Sequence, residues 1–111
     1  MCKKKIFSLI ILFLSIINFS SITCAVDIQN GEGIFTANCT ACHAGGNNVV
    51  MIDKTLQKEA LVKNEMNSIK AIMYQVTNGK NAMPAFGGRL SDTDIEDAAN
   101  YVLGKSEAGW D

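Results

Sequence analysis

The chain has 111 residues, 48% of them hydrophobic, with ten basic and eleven acidic side chains and a formal charge of −1. That balance, with no basic run beyond the first five residues, excludes a nucleic-acid binder held by phosphate contacts. The length allows one small domain, too thin in its core to stand comfortably without help.

In chain order the first segment is an address, not fold material. Lys3, Lys4 and Lys5 form a basic start, and Ile6 to Ile17 is a run of twelve residues, all apolar but two serines. Thr23-Cys24-Ala25 is an A-x-A-like cleavage site, which predicts a signal peptide over residues 1–25. The apolar run falls short of the roughly 20 residues that a spanning helix needs. Ser21-Ile22-Thr23 is also a poor lipobox. Residues 26–111 then form a single domain of 86 residues, not embedded in a membrane once the leader is gone. The leader takes with it Cys2, Cys24 and three basic residues. It leaves seven basic against eleven acidic side chains, a formal charge of −4, and only Cys39 and Cys42 as thiols. No structural disulfide is expected, and an acidic domain is steered toward a positively charged docking site. With no Arg- and Ser-rich transit region, the chain crosses one membrane, into a periplasm or a thylakoid lumen.

A first helix is predicted from Val26 or Asp27 up to Cys39, with Ile28, Ile34 and Phe35 apolar. Gly31 and Gly33 each weaken it by roughly 1 kcal/mol. Gly31 is read as a place where another backbone comes close. Cys39-Thr40-Ala41-Cys42-His43 follows, the C-x-x-C-H signature of c-type haem attachment. On one helical turn both sulfurs share a face and reach one porphyrin edge, while the next residue brings its imidazole to the iron. A zinc site would need two more ligands, and the chain has one His and no second Cys pair after Cys42. A thiol–disulfide site would want a βαβ context, and no strand pattern surrounds these residues.

From Ala44 to Asp53 the chain reads as a loop, with Val49 to Ile52 lining the haem. A short helix is expected over Thr55 to Lys63. A third runs from Ser68 to Asn78-Gly79, with Ile69, Ile72, Met73 and Val76 at helical spacing. The last helix starts at the cap Ser91, with Asp94 at the capping-box position. Its apolar stripe is Ile95, Ala98, Ala99, Val102 and Leu103, and the tail from Gly104 is expected to fray toward Trp110.

With no second His, the sixth iron position falls to Met51, Met66, Met73 or Met83, or stays open for a gas or peroxide. Met83 stands in an irregular loop between two helices, ahead of the only proline, Pro84, and this context favours it. A His/Met pair raises the reduction potential and suits electron transfer, not catalysis.

Several stretches together resemble class I cytochromes c: Gly31 and Phe35, the Cys39–His43 motif, the methionine loop, and a last helix with Tyr101. More narrowly, the runs from Cys42 to Asn48, from Tyr74 to Lys80 and from Asn81 to Phe86 resemble cytochrome c6. The resemblance implies an all-α fold of about four helices around one covalently bound haem c. Cys39 and Cys42 would be its thioether anchors and His43 and Met83 its axial ligands. It implies a soluble, monomeric one-electron carrier, not an enzyme, that docks transiently with the cytochrome b6f complex as donor and photosystem I as acceptor. The expected address is the thylakoid lumen, of an algal plastid on the Ile-, Asn- and Lys-rich composition, with a cyanobacterial lumen or bacterial periplasm as alternatives. A periplasmic carrier feeding a terminal oxidase is the alternative function. The resemblance also assigns Arg89 to docking and Gln75 to tuning beside the haem, and Gly31, Phe35 and Tyr101 to a helix crossing. One departure stands out. Relatives commonly have proline where this chain has Ile52, which frees the turn whose carbonyls are expected to hold the outer nitrogen of His43.

Overall fold

Asp27, Ser68 and Ser91 each accept a hydrogen bond from the backbone N–H three residues on, at 3.0, 3.1 and 3.1 Å. These three caps begin the three long helices. The structure, a computed structural model, describes residues 25–110, so the predicted signal peptide lies outside the described residues except for Ala25. The helices are α1 (Ile28–Asn38), the single turn α2 (Thr40–His43), α3 (Lys58–Lys63), α4 (Ile69–Asn78) and α5 (Asp92–Ala108). No strand occurs among the described residues, only isolated bridges such as that between Lys80 and Met83. The all-α expectation holds, with four helices and the one-turn α2.

The frame is the crossing of α1 and α5. A Cβ at Gly31 would run into the backbone carbonyl of Asp97, so the two helices touch main chain to main chain there. One turn on, the rings of Phe35 and Tyr101 lie 5.3 Å apart. At the start of α1, the buried Asp97 carboxylate accepts from the Asp27 backbone N–H at 3.0 Å and the Asn30 amide at 2.9 Å. The same amide reaches Asp94 at 2.9 Å. These bonds satisfy a carboxylate that would otherwise be costly to bury. α4 lies against α5, and Phe35, Ile72, Ala99 and Val102 form the core between the three helices.

Two boundaries differ from the sequence reading. α3 starts at Lys58 rather than Thr55, because the Thr55 hydroxyl accepts from the Gln57 N–H at 3.3 Å and makes a turn instead. The tail does not fray at Gly104. α5 continues to Ala108, and Trp110 folds back to stack on Phe35 at 5.3 Å and meet Tyr101 edge-on at 6.2 Å. Burial of that indole outweighs the weak helix propensity of Gly104.

Candidate haem site

Between α1, α3, α4, α5 and the two long loops lies a cavity of about 230 Å³. Its walls are apolar, with Phe35, Leu61, Ile72, Phe86, Ala98 and Val102 among them. Cys39, Cys42, His43 and Met83 all open onto it. A chain this small does not keep so large an apolar void for its own sake, since interiors pack to the density of organic crystals. A flat apolar group with a metal at its centre fits this donor set: two thiols, one imidazole and one thioether around a mostly apolar wall.

Each donor is placed by local chain geometry. α1 passes into α2 at Cys39, whose N–H donates to the Phe35 carbonyl at 2.8 Å. The His43 N–H donates to the Cys39 carbonyl at 2.9 Å, so the turn from Cys39 to His43 is closed. Burial, then the neighbouring Cys42, pushes the Cys39 thiol up to about 11. A thiol so held is a poor thiolate nucleophile at neutral pH, which argues against disulfide exchange. The His43 Nδ1 lies 2.8 Å from the Asn47 carbonyl, so Nδ1 carries the proton and Nε2 keeps its lone pair.

That carbonyl corrects an expectation. The outer nitrogen of His43 is held by Asn47, not by the turn at Ile52, which stands 84% exposed. Nor does the loop depend on a proline. The Asn48 side chain accepts from Val50 and Met51 N–H groups at 3.0 and 2.8 Å and donates to the Lys54 carbonyl at 3.0 Å. Val50 and Met51 line the cavity mouth as expected of this run, while Val49 and Ile52 face away from it.

On the other side, the methionine loop is pinned to α4. Phe86 and Gly87 donate to the Val76 and Thr77 carbonyls at 2.9 and 3.0 Å, and Lys80 and Met83 exchange backbone bonds at 3.0 and 2.9 Å. Of the other methionines, Met51 and Met66 also reach the cavity, whereas Met73 packs into the core. Among the described methionines Met83 alone receives a polar contact, the Gln75 amide donating to its sulfur at 3.6 Å. Gln75 therefore stands beside the cavity, as the resemblance implied. Arg89 does not line it; its guanidinium lies 4.9 Å from the centre of the Phe86 ring, which does. Ala82 and Pro84 are exposed at the rim, and Ala85 stands just off it.

Sequence reasoning missed the Asn47 carbonyl, the Asn48 side chain and Trp110. Asn48 could have been found by its turn chemistry. The single tryptophan of the chain, so near its end, is itself a signal that the end packs somewhere.

Comparison with known proteins narrows the family. A family model described as cytochrome C oxidase, cbb3-type, subunit III matches residues 26–102. A cytochrome c6 from Petalonia fascia is 74% identical over 85 residues, covering 77% of this chain and all of that one. A cytochrome c6 from Pyropia yezoensis is 63% identical over 109 residues, covering 97% of this chain and 99% of that one. The crystal structure of cytochrome c6 from the diatom Phaeodactylum tricornutum superposes with a TM-score of 0.74 at 60% identity. It covers 76% of this chain and 99% of that one. End-to-end matches at this identity decide between the broader oxidase-linked description and the narrower one. The chain belongs to the cytochrome c6 family, carriers of single electrons in photosynthesis on one covalently attached haem c.

Proposed function

We propose that Cys39 and Cys42 bind the haem as thioethers, that His43 and Met83 are its axial ligands, and that Arg89 and Gln75 serve docking and tuning. The supporting observation is that the two thiols, the imidazole and the Met83 thioether converge on one apolar cavity. Bound there, the haem supplies a one-electron iron couple. The protein does the rest. The Asn47 carbonyl holds the ring of His43 and raises its basicity. The Gln75 amide steadies the Met83 sulfur. Phe35, Leu61, Ile72 and Val102 exclude water, which keeps the surroundings of the iron stiff and the local dielectric low. Cytochromes c6 carry electrons and transform no substrate, so the protein is not an enzyme.

The electrons pass from the cytochrome b6f complex to photosystem I, by brief docking at the exposed rim around Ala82 and Pro84. Redox encounters of this kind bury under about 1,200 Å². Among the described residues no helix is long and apolar enough to cross a membrane. The working form is a monomer in the lumen of an algal plastid thylakoid, with residues 1–25 removed. Supporting that removal, the Petalonia relative matches along its whole length over 85 residues, close to the 86 that follow Ala25. The terminal-oxidase alternative is not favoured by relatives that are cytochromes c6 along their whole length.

The test is the exported protein itself. Its mass should be that of a peptide beginning at Val26 plus one haem, and its ferrous form should resist carbon monoxide. Met83→Ala should bind carbon monoxide readily. If Met83→Ala behaves as wild type while Met51→Ala opens the iron, the ligand assignment is wrong.

A further inference from the structure

The last aromatic residue closes a clasp on the loop that holds the axial histidine. The face of the Trp110 indole lies directly on Gly46, where a Cβ would run into the ring. Its Nε1–H donates to the Leu56 carbonyl at 2.9 Å. Leu56 in turn donates its own N–H to the Gly46 carbonyl at 2.8 Å. Trp110, Leu56 and Gly46 thus form a closed set of three contacts, two of them hydrogen bonds. The next residue is Asn47, whose carbonyl lies 2.8 Å from His43 Nδ1. We propose that Trp110 is a positioning residue for His43, fixing through Gly46 the carbonyl that orients and enriches the imidazole.

The physical case is a comparison of constraints. Asn47 is exposed, and apart from its bond with His43 its backbone is held only by a 3.3 Å bond to the Ala44 carbonyl. One long bond does not fix a carbonyl against a ring that can rotate. The Trp110 ring, itself packed on Phe35 and Tyr101, ties the adjacent residue to the α1–α5 crossing. The N–H···O bond to Leu56 sets the angle at which the ring sits. Loss of the bond should let the loop breathe, lengthen the Nδ1–H···O bond and make the imidazole a weaker donor.

This inference rests on His43 being the axial ligand. The test uses the haem-loaded protein and two variants. One is Trp110→Phe. The other replaces this single tryptophan biosynthetically by its benzothienyl analogue, which keeps the shape and has no N–H. The readouts are solvent exchange of the His43 Nδ1 proton by NMR and the midpoint potential. Both variants should exchange that proton at least tenfold faster and show a more positive potential. Ile95→Val, a core change on α5 away from the loop, should lower the melting temperature and leave both readouts unchanged. Wild-type exchange and potential in the benzothienyl form would overturn the proposal, as would equal acceleration in Ile95→Val. A wild type with no proton resonance of an iron-bound His43 would instead overturn the ligand assignment.

Discussion

Gln75 donates to the sulfur of Met83, and a donor on a thioether draws electron density away from it. With Met83 on the iron as proposed, the ferric state needs that density more than the ferrous state does, so the contact favours reduction. Removing it in Gln75→Val should lower the midpoint potential. If the contact contributes about 1 kcal/mol to one oxidation state, the shift is about 40 mV. Protein-film voltammetry measures this directly, and an unchanged or raised potential would refute the tuning role. The role was assigned to Gln75 from resemblance alone. No rule of spacing in the sequence places an amide on a particular sulfur eight residues away; the turn after α4 does that.

At the scale of helices, two glycines four sites apart from Phe35 or nearer carry opposite forecasts. Gly31 abuts the Asp97 carbonyl, while nothing lies within 4 Å of a Cβ at Gly33. Gly31→Ala should destabilise by about 1–3 kcal/mol, since the crossing must open. Gly33→Ala should stabilise by about 0.5–1 kcal/mol by removing backbone freedom from the unfolded chain. For a domain of this size each kcal/mol moves the melting temperature by about 4–8 °C, well within calorimetric reach.

The same crossing sets an acid limit. The Asn30 amide, and behind it the Ser91 cap, hold the Asp94 carboxyl below its ordinary 3.8. A lowered folded value contributes stability above the unfolded value and loses it as the pH falls through the folded one. The stability gap between wild type and Asn30→Ala, measured at pH 7, should therefore narrow, though not vanish, as the pH drops below about 4, because the Asn30 bond to Asp97 remains. A gap that stays constant in urea titrations down to pH 2 would remove Asp94 from the account.

Helices were legible where a cap and a stripe coincided. Ser68 and Ser91 mark their starts in the sequence as in the structure. The ends were not legible where tertiary packing overrode propensity. Gly104 looked like a stop, but Ser106 is buried and Lys58 pairs with Glu107 at 2.9 Å, so the last turns have partners that only the fold supplies. The Cys39–His43 motif was readable as a closed turn with its two thiols and imidazole together, because its geometry is local. The cavity around it was not, because its walls come from α1, α3, α4, α5 and two loops.

Over the molecule as a whole, basic side chains among the described residues meet the cavity while the first half of α5 is acidic. Lys54 and Lys80 line the cavity mouth and Arg89 stands beside it, whereas Glu32, Asp92, Asp94, Glu96 and Asp97 lie on α1 and α5. An anionic oxidant such as hexacyanoferrate(III) meets the positive rim first. At about 10 Å in water one unit charge attracts this triply charged anion by about 1.2 kcal/mol, so Lys80→Gln should slow the reaction about eightfold at low salt. Near 1 M salt, where screening acts within about 3 Å, the difference should vanish. Stopped-flow rates across ionic strength check both halves; a salt-independent difference would mean that Lys80 acts by shape and not by charge.

The grip on His43 comes from a main-chain oxygen at position 47. Every amino acid brings the same oxygen, so exchanging the Asn47 side chain leaves that partner in place. A survey of replacements at position 47 would score the site as tolerant, though under the proposed His43 ligation the haem's electronic balance depends on it. A change in backbone path, such as an inserted or deleted residue between His43 and Asn48, or in what clasps the loop, such as Trp110→Phe, would expose its importance.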